Sequence, residues 1–347
     1  MKSSQKGKTV IALYDDGIKY LSLKKNNYGF YVENYDSTKL EKGIIENGEV
    51  LKADFLKKIL LKVAKKIDTK SIDLILPHDY FLFDLHTVKK DGKKKFKKLF
   101  KKYIKENIGK ISWAKTHSYE YDVFEGEKET KVLFRTLTRD VYSSYEHVFK
   151  KSGLKINSIQ SDIVSFSYLF PNDQRVSQIF VGKNQTYVLE YRNGIYISDK
   201  KFDVSYNQFL KDIKKNINVS DIQTEKIFSQ YGVLKTHKDA KVLARMERSL
   251  SPLFNFLKKS QGESRLRGKS NELKVNQKNS VFVHFEDTPI KGFSNRIKKL
   301  LKNDVYDMCI LELKGDYTFQ DVLSLHKKDS YQYESLIARA LLLMKDR

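Results

Sequence analysis

The sequence predicts an α/β fold of two related lobes with a small α+β subdomain inserted into the first. Three observations predict it. The 347 residues exceed what one ordinary core organises, which favours two lobes. A run of three short strands followed by a helix occurs twice, from Val10 and again from Gln178. Between the copies lies a strand–helix–hairpin–helix block with a different rhythm.

In the first copy, Val10 to Tyr14 reads as a buried strand and Asp15-Asp16-Gly17 as a tight turn. Ile18 to Leu23 is a second strand, Asn26-Asn27 a turn, and Tyr28 to Val32 a third strand. The second copy has a strand at Gln178 to Val181, a turn at Gly182-Lys183-Asn184 and a strand at Thr186 to Tyr191. Asn193-Gly194 then turns the chain into Ile195 to Ser198. Helices follow from apolar residues three and four apart. Phe55, Leu56, Ile59, Leu60, Val63 and Ile67 line one face of 52–67, and Tyr206, Phe209, Leu210, Ile213 and Ile217 line the next. Val242, Met246, Leu250, Leu253, Phe254 and Leu257 mark a longer helix, and Phe293, Ile297, Leu300 and Leu301 another. Leu336, Ile337, Ala340 and Leu341 mark a closing helix.

The inserted block opens with Tyr80 to Val88, whose Phe81, Phe83, Leu85 and Thr87 share one side. A lysine-rich helix over 93–110, a hairpin of 119–124 with 131–137, and a helix over 140–152 complete it. The expected partition is a first lobe of 8–78 with 153–173 and 325–347, and an insertion of 79–152. The second lobe takes 174–215 with 280–324, and 216–279 forms its outer helical part. Within that part, helices are expected over 216–232 and 238–259, and an exposed polar loop over 260–280.

Composition bounds the function classes. With 40% hydrophobic and 12% aromatic residues the chain can build packed cores. The net charge of +23 is mostly lysine spread along the whole chain, as an AT-rich coding sequence produces, and no nucleic-acid signature accompanies it. No nucleic acid partner is therefore expected. The single cysteine, Cys309, lies in the apolar run Met308 to Leu311 and reads as a buried thiol in a reducing compartment. No secretory leader opens the sequence, and no apolar run approaches the ~20 residues of a membrane span, so the chain is expected to be soluble or peripheral. The seven histidines lack metal-ligand spacing, and no nucleophile elbow places a serine, so neither a metal nor a catalytic residue is assigned.

Several phrases stand in a recognisable order. They are VIALYDDGIKYLSL from Val10, Gly43-Ile44-Ile45-Glu46-Asn47-Gly48-Glu49-Val50 before the first helix, and Leu74-Ile75-Leu76-Pro77 ending a strand. Gly153-Leu154-Lys155-Ile156, Gly182 with Thr186, and Ile337 to Leu342 complete the set. In this order the chain resembles the type IV pilus assembly protein PilM family over nearly its whole length. More distantly it resembles FtsA, within the actin-like (ribonuclease H-like) ATPases. The resemblance implies a two-lobed actin-like fold. It also implies three nucleotide-contacting elements, and all three depart from the family pattern. Aligned on Ile18-Lys19, Ala12 replaces the metal-side acid of the first phosphate turn and Tyr14 its glycine, while Asp15 and Asp16 fall in the turn and repel phosphate. A shift of one or two residues would instead make Asp15 or Asp16 that acid. In the second turn Phe180 replaces the acid, and only Gly182 and Thr186 match. In the adenosine motif Phe285, Glu286 and Asp287 stand where the family has glycines that let backbone approach nucleotide.

These departures imply a scaffold that uses no nucleotide cofactor and catalyses no reaction. By resemblance its partner is the cytoplasmic tail of an inner-membrane pilus assembly protein (PilN-like), bound between the first lobe and the insertion. The candidate partner-binding residues are Phe81, Phe83 and Leu85 with Leu154, Ile156 and Ile159. Each could equally fill the subdomain core. The basic helix, from Lys93 to Lys105, offers contact with an anionic membrane surface, or simply a solvated face. The implied location is the cytoplasmic face of the inner membrane. An FtsA-like division adaptor and an active actin-like ATPase are the alternatives. The first is disfavoured because no membrane-targeting tail follows the closing helix, the second by the altered motifs.

Overall fold

The structure is a computed structural model. It describes residues 7–26, 29–89, 114–125, 129–169, 175–192, 194–233, 240–267, 279–286, 289–301, 305–307 and 334–345. The described residues form two compact units, one of residues up to 168 together with 334–345, the other of 169–307. The lysine-rich helix with Lys93 to Lys105, Cys309, Asp287, Asn27, Asn193 and the 268–278 part of the polar loop lie outside the described residues.

The first unit is built on β1 (Lys8–Tyr14), β2 (Gly17–Asn26) and β3 (Gly29–Lys39), an antiparallel meander. The short pair β4 (Ile45–Glu46) and β5 (Glu49–Val50) leads into α1 (Ala53–Lys66). Strands β6 (Ser71–Leu76) and β10 (Lys155–Ser161) then add in parallel, giving the order β10-β6-β1-β2-β3. The inserted block is a separate antiparallel sheet of β7 (Leu82–Lys89), β8 (His117–Glu125) and β9 (Glu129–Thr138), in the order β7-β9-β8. It returns through α2 (Arg139–Lys151).

Alternation explains the core. Ile11 and Leu13 of β1 and Ile72, Leu74 and Leu76 of β6 join Leu56, Leu60 and Val63 of α1 and Tyr145, Val148 and Phe149 of α2 in one cluster. The opposite face of the sheet is covered at β1 and β2 by α7 (Glu334–Lys345), whose Leu336, Ile337, Ala340 and Leu341 are buried. Asp73, buried on that face, meets Arg339 of α7 at 3.7 Å, and Arg339 also donates to Ser158 Oγ at 2.6 Å.

The second unit repeats the plan. Its meander is β11 (Arg175–Val181), β12 (Thr186–Arg192) and β13 (Ile195–Phe202), and β14 (Asn279–Phe285) and β15 (Val305–Asp307) add in parallel. The order β13-β12-β11-β14-β15 is that of the first sheet, strand for strand. Helices α3 (Tyr206–Lys214), α5 (Ala240–Arg267) and α6 (Phe293–Leu301) bury Phe209, Ile213, Met246, Leu250, Phe293 and Ile297 against Ile179, Val181, Val281 and Val283.

Three expectations are corrected. The third strand runs to Lys39 rather than Val32, because pairing with β2 continues through the polar residues to Gly17↔Lys39. The helix expected over 216–232 is α4 (Asp221–Tyr231), which starts at a capping box: Ser220 Oγ accepts the Gln223 N–H, and Gln223 Oε1 accepts that of Ser220. Residues 260–267 are the end of α5 and not loop, since a helix already nucleated extends through polar residues at little cost.

Candidate functional site

The first turn is a two-residue reversal, with Tyr14 opposite Gly17 across the β1–β2 pair. Ala12 is fully buried between Lys19 of β2 and Ile75 of β6. Tyr14 is half-buried, with the Lys19 ammonium 5.4 Å from its ring centre. Asp15 is exposed, and both of its carboxylate oxygens are hydrogen-bonded. Its Oδ1 accepts the Tyr80 hydroxyl at 2.6 Å, and its Oδ2 accepts the Asn47 N–H at 3.2 Å. Asn47 (φ 50°) and Gly48 (φ +84°) give the β4–β5 turn its left-handed geometry. The Tyr80 ring lies over Gly48, where an added Cβ would sit 3.0 Å from it. Burial first, and then the bond to Asp15, push the Tyr80 hydroxyl well above the ordinary tyrosine range. Asp16 is exposed, and its carbonyl accepts the Leu40 N–H at 2.9 Å.

The second turn and the segment after β14 meet directly. Gly182 N–H donates to Gln185 O at 2.9 Å, closing the β11–β12 turn. Glu286 reaches into that turn: its Oε2 accepts the Lys183 N–H at 2.7 Å, and its own N–H donates to Val181 O at 3.1 Å. A Cβ on Gly182 would lie 2.8 Å from Gln185 O and 3.1 Å from the Glu286 carboxylate. Backbone N–H groups of such a turn suit an anion, and here one is taken by a carboxylate of the same unit. Phe180 stacks on His284 of the neighbouring strand at 5.1 Å, on the face opposite the helices. Phe285 is buried in the core, edge-on to Phe293 at 5.8 Å. Thr186 is fully buried, and its hydroxyl has no hydrogen-bond partner among the described residues.

The candidate partner-binding residues come together where the inserted sheet meets the first unit's sheet. Leu154 and Ile159 are buried in the main cluster, and Phe81 and Ile156 pack against it. Phe83 and Leu85 are half-buried. Phe83 lies 5.8 Å from the Phe81 ring and stacks at 5.0 Å on buried His78, which shares a 2.9 Å hydrogen bond with Ser161 Oγ. Strand β10 is the edge of its sheet. Its Ile159 N–H donates to Glu120 Oε1 of β8 at 3.0 Å. Arg135 of β9, only 5% exposed, holds Glu120 Oε2 at 3.3 Å and pairs with Asp122. Glu120, Arg135 and His78 escaped the sequence reading. The single signal for Arg135 was a cation inside the apolar run Val132 to Leu137.

Among the described residues no group of three or more His, Cys, Asp or Glu side chains could hold a metal ion, and no helix is long and apolar enough to cross a membrane.

No family model and no curated protein matches the sequence. Solved structures do match the fold. A PilM–PilN type IV pilus biogenesis complex aligns with a TM-score of 0.70 at 11% identity, covering 96% of each chain. MreB5 of Spiroplasma citri bound to AMPPNP aligns with a TM-score of 0.52 at 10% identity, over 98% of this chain and 96% of the other. The same protein bound to ADP gives 0.52 at 11% identity, over 98% and 97%. The fold is therefore a mixed α/β actin-like fold related to PilM and MreB.

Proposed function

We propose that this protein is a non-catalytic, PilM-like scaffold of a type IV pilus or related envelope machine, which binds the short cytoplasmic tail of a PilN-like inner-membrane partner. The observation that carries this reading is the end-to-end likeness to a chain solved in a PilM–PilN complex, over 96% of both chains including the inserted block. The state of the nucleotide elements supports the non-catalytic part. Asp15 is held by Tyr80 and Asn47, Phe180 is stacked on His284, and Glu286 occupies a donor of the second turn. An active ATPase would need an acid where Phe180 stands and the turn's backbone donors free for phosphate.

The tail would lie along β7 and the β10 edge as an extended peptide, at the cytoplasmic face of the inner membrane. Phe81, Leu154, Ile156 and Ile159 would form the floor beneath it, and Phe83 and Leu85 its lining. Because Glu120 already holds the Ile159 N–H, strand addition at that point requires the tail to displace a carboxylate. The test is a pull-down with the cytoplasmic tails of single-span membrane proteins encoded beside this gene, repeated with Leu85→Glu and Thr87→Glu. Binding to one tail, lost in variants with unchanged circular dichroism, supports the reading. Failure of every tail to bind, or binding that the variants leave unchanged, overturns it.

A further inference from the structure

Among the described residues a cavity of about 640 Å³ opens between α3 and α5 of the second unit. Its lining shares no residue with the altered nucleotide segments. Four cations converge on it: Lys215 after α3, and Lys241, Arg245 and Arg248 of α5. The α5 residues are spaced i, i+4, i+7 and so lie along one stripe of the helix. The amides of Gln208 and Asn216 complete the polar wall.

Against these four cations stands one carboxylate, Asp212, and it is buried and saturated. Its Oδ1 accepts the Gln208 amide at 3.0 Å and lies 3.6 Å from Arg245 Nε, and its Oδ2 accepts the Ser249 hydroxyl at 2.6 Å. Asp212 thus fixes Arg245 from below and offsets its charge. Nearby acids are committed elsewhere: Asp221 pairs with Lys214 and Glu247 with Arg296. Among the described residues neither Lys215 nor Arg248 has a carboxylate partner.

A lysine-rich composition explains exposed cations at large. It does not explain four of them around one cavity whose lining holds a single acid. Like charges so placed repel unless an anion lies between them. The volume falls in the range of small-molecule sites, roughly 300–1,000 Å³. Ala244 is the single apolar side chain in the lining, so neither an acyl chain nor an apolar peptide side chain gains by entering. Two guanidinium forks with two ammonium groups match the oxygens of linked phosphates.

We infer that this cavity binds a compact, multiply charged phosphate compound, either inorganic polyphosphate or the phosphate chain of a nucleotide. The site is independent of tail docking, so its failure would leave the scaffold reading intact. The experiment is calorimetric titration of the full chain with sodium tripolyphosphate and, separately, with ATP, at low and at moderate salt. The expected result is one saturable site per chain for tripolyphosphate, weakened by salt. The exposed pair Lys215→Gln/Arg248→Gln should weaken it at least about ten-fold. The control Lys62→Gln/Lys65→Gln, on α1, should leave it unchanged. ATP binding that falls in the same variant identifies a nucleotide's phosphates as the source, and tripolyphosphate binding without ATP binding identifies a free polyphosphate. No tripolyphosphate binding, equal loss in the control, or tighter binding of hexaglutamate at the same residues overturns the inference.

Discussion

The carboxylate of Glu286 accepts the backbone N–H of Lys183 at 2.7 Å, so a donor of the β11–β12 turn is taken by a side chain of its own unit. The two residues lie far apart in sequence and meet because β11 and β14 run parallel in register, with Val181 opposite Phe285.

From this contact we expect no Mg²⁺–ATP binding at the altered turns. Titration calorimetry on the Lys215→Gln/Arg248→Gln background isolates those elements from the basic cavity. Binding tighter than about 1 mM, roughly 4 kcal/mol, would contradict the expectation. Glu286→Gln should not restore binding, since Phe180 and the tied Asp15 remain. It should lower stability by about 1 kcal/mol, because a charged acceptor becomes neutral.

Asp15 and Tyr80 hold the β4–β5 turn to the first sheet. Tyr80→Phe removes the donor while keeping the ring over Gly48, and should cost about 1 kcal/mol in urea unfolding. Gly48→Ala should cost more, about 2 kcal/mol, because it combines a left-handed backbone with a ring contact at 3.0 Å.

Stability should fall at high pH. The hydroxyls of Tyr80, Tyr145 and Tyr196 are all raised, chiefly by burial, and those of Tyr80 and Tyr196 are raised further by bonds to Asp15 and Asp199. The folded state therefore keeps these protons when the unfolded chain, with tyrosines near pKa ~10, loses them. Their stabilisation is complete below about pH 10 and declines above it. Urea midpoints measured from pH 8 to pH 11 should show this decline, and Tyr145→Phe should make it shallower.

Asp73 and Arg339 form a buried pair between β6 and α7. Arg339→Met leaves Asp73 with the Ser158 hydroxyl and no cation, and should cost about 3 kcal/mol. Adding Asp73→Ala should return part of that loss, measured as a double-mutant cycle in urea.

Gly232 ends α4 at φ +52°, with room for no side chain: a Cβ would lie 2.3 Å from Lys291 O. Gly232→Ala should cost about 2 kcal/mol or more. The melting temperature should drop accordingly.

The repeated meander, the periodic helices and the inserted hairpin were legible in the sequence because each is set by spacing within a dozen residues. Short apolar runs bounded by turn residues mark β1 and β11, and period-3.6 stripes mark α1 and α3. Such signals are local and survive without knowledge of neighbours. Legibility stopped at α4, whose start depends on one cap, and at the 260–267 helix, whose polar residues carry no stripe. The departures from the family pattern were also visible, because a missing glycine or acid is a property of one position. What replaced them was not. Sequence shows Glu286 as an obstacle, while the fold shows it bonded to Lys183. It shows Arg135 and Arg339 as cations in apolar runs, while the fold supplies Glu120, Asp122 and Asp73. It shows four cations spread over 215–248, and packing of α3 on α5 brings them around one cavity. Pairing between distant residues depends on strand order and helix packing, which the whole chain's burial of apolar surface decides, so charge partners and cavities belong to the tertiary structure alone.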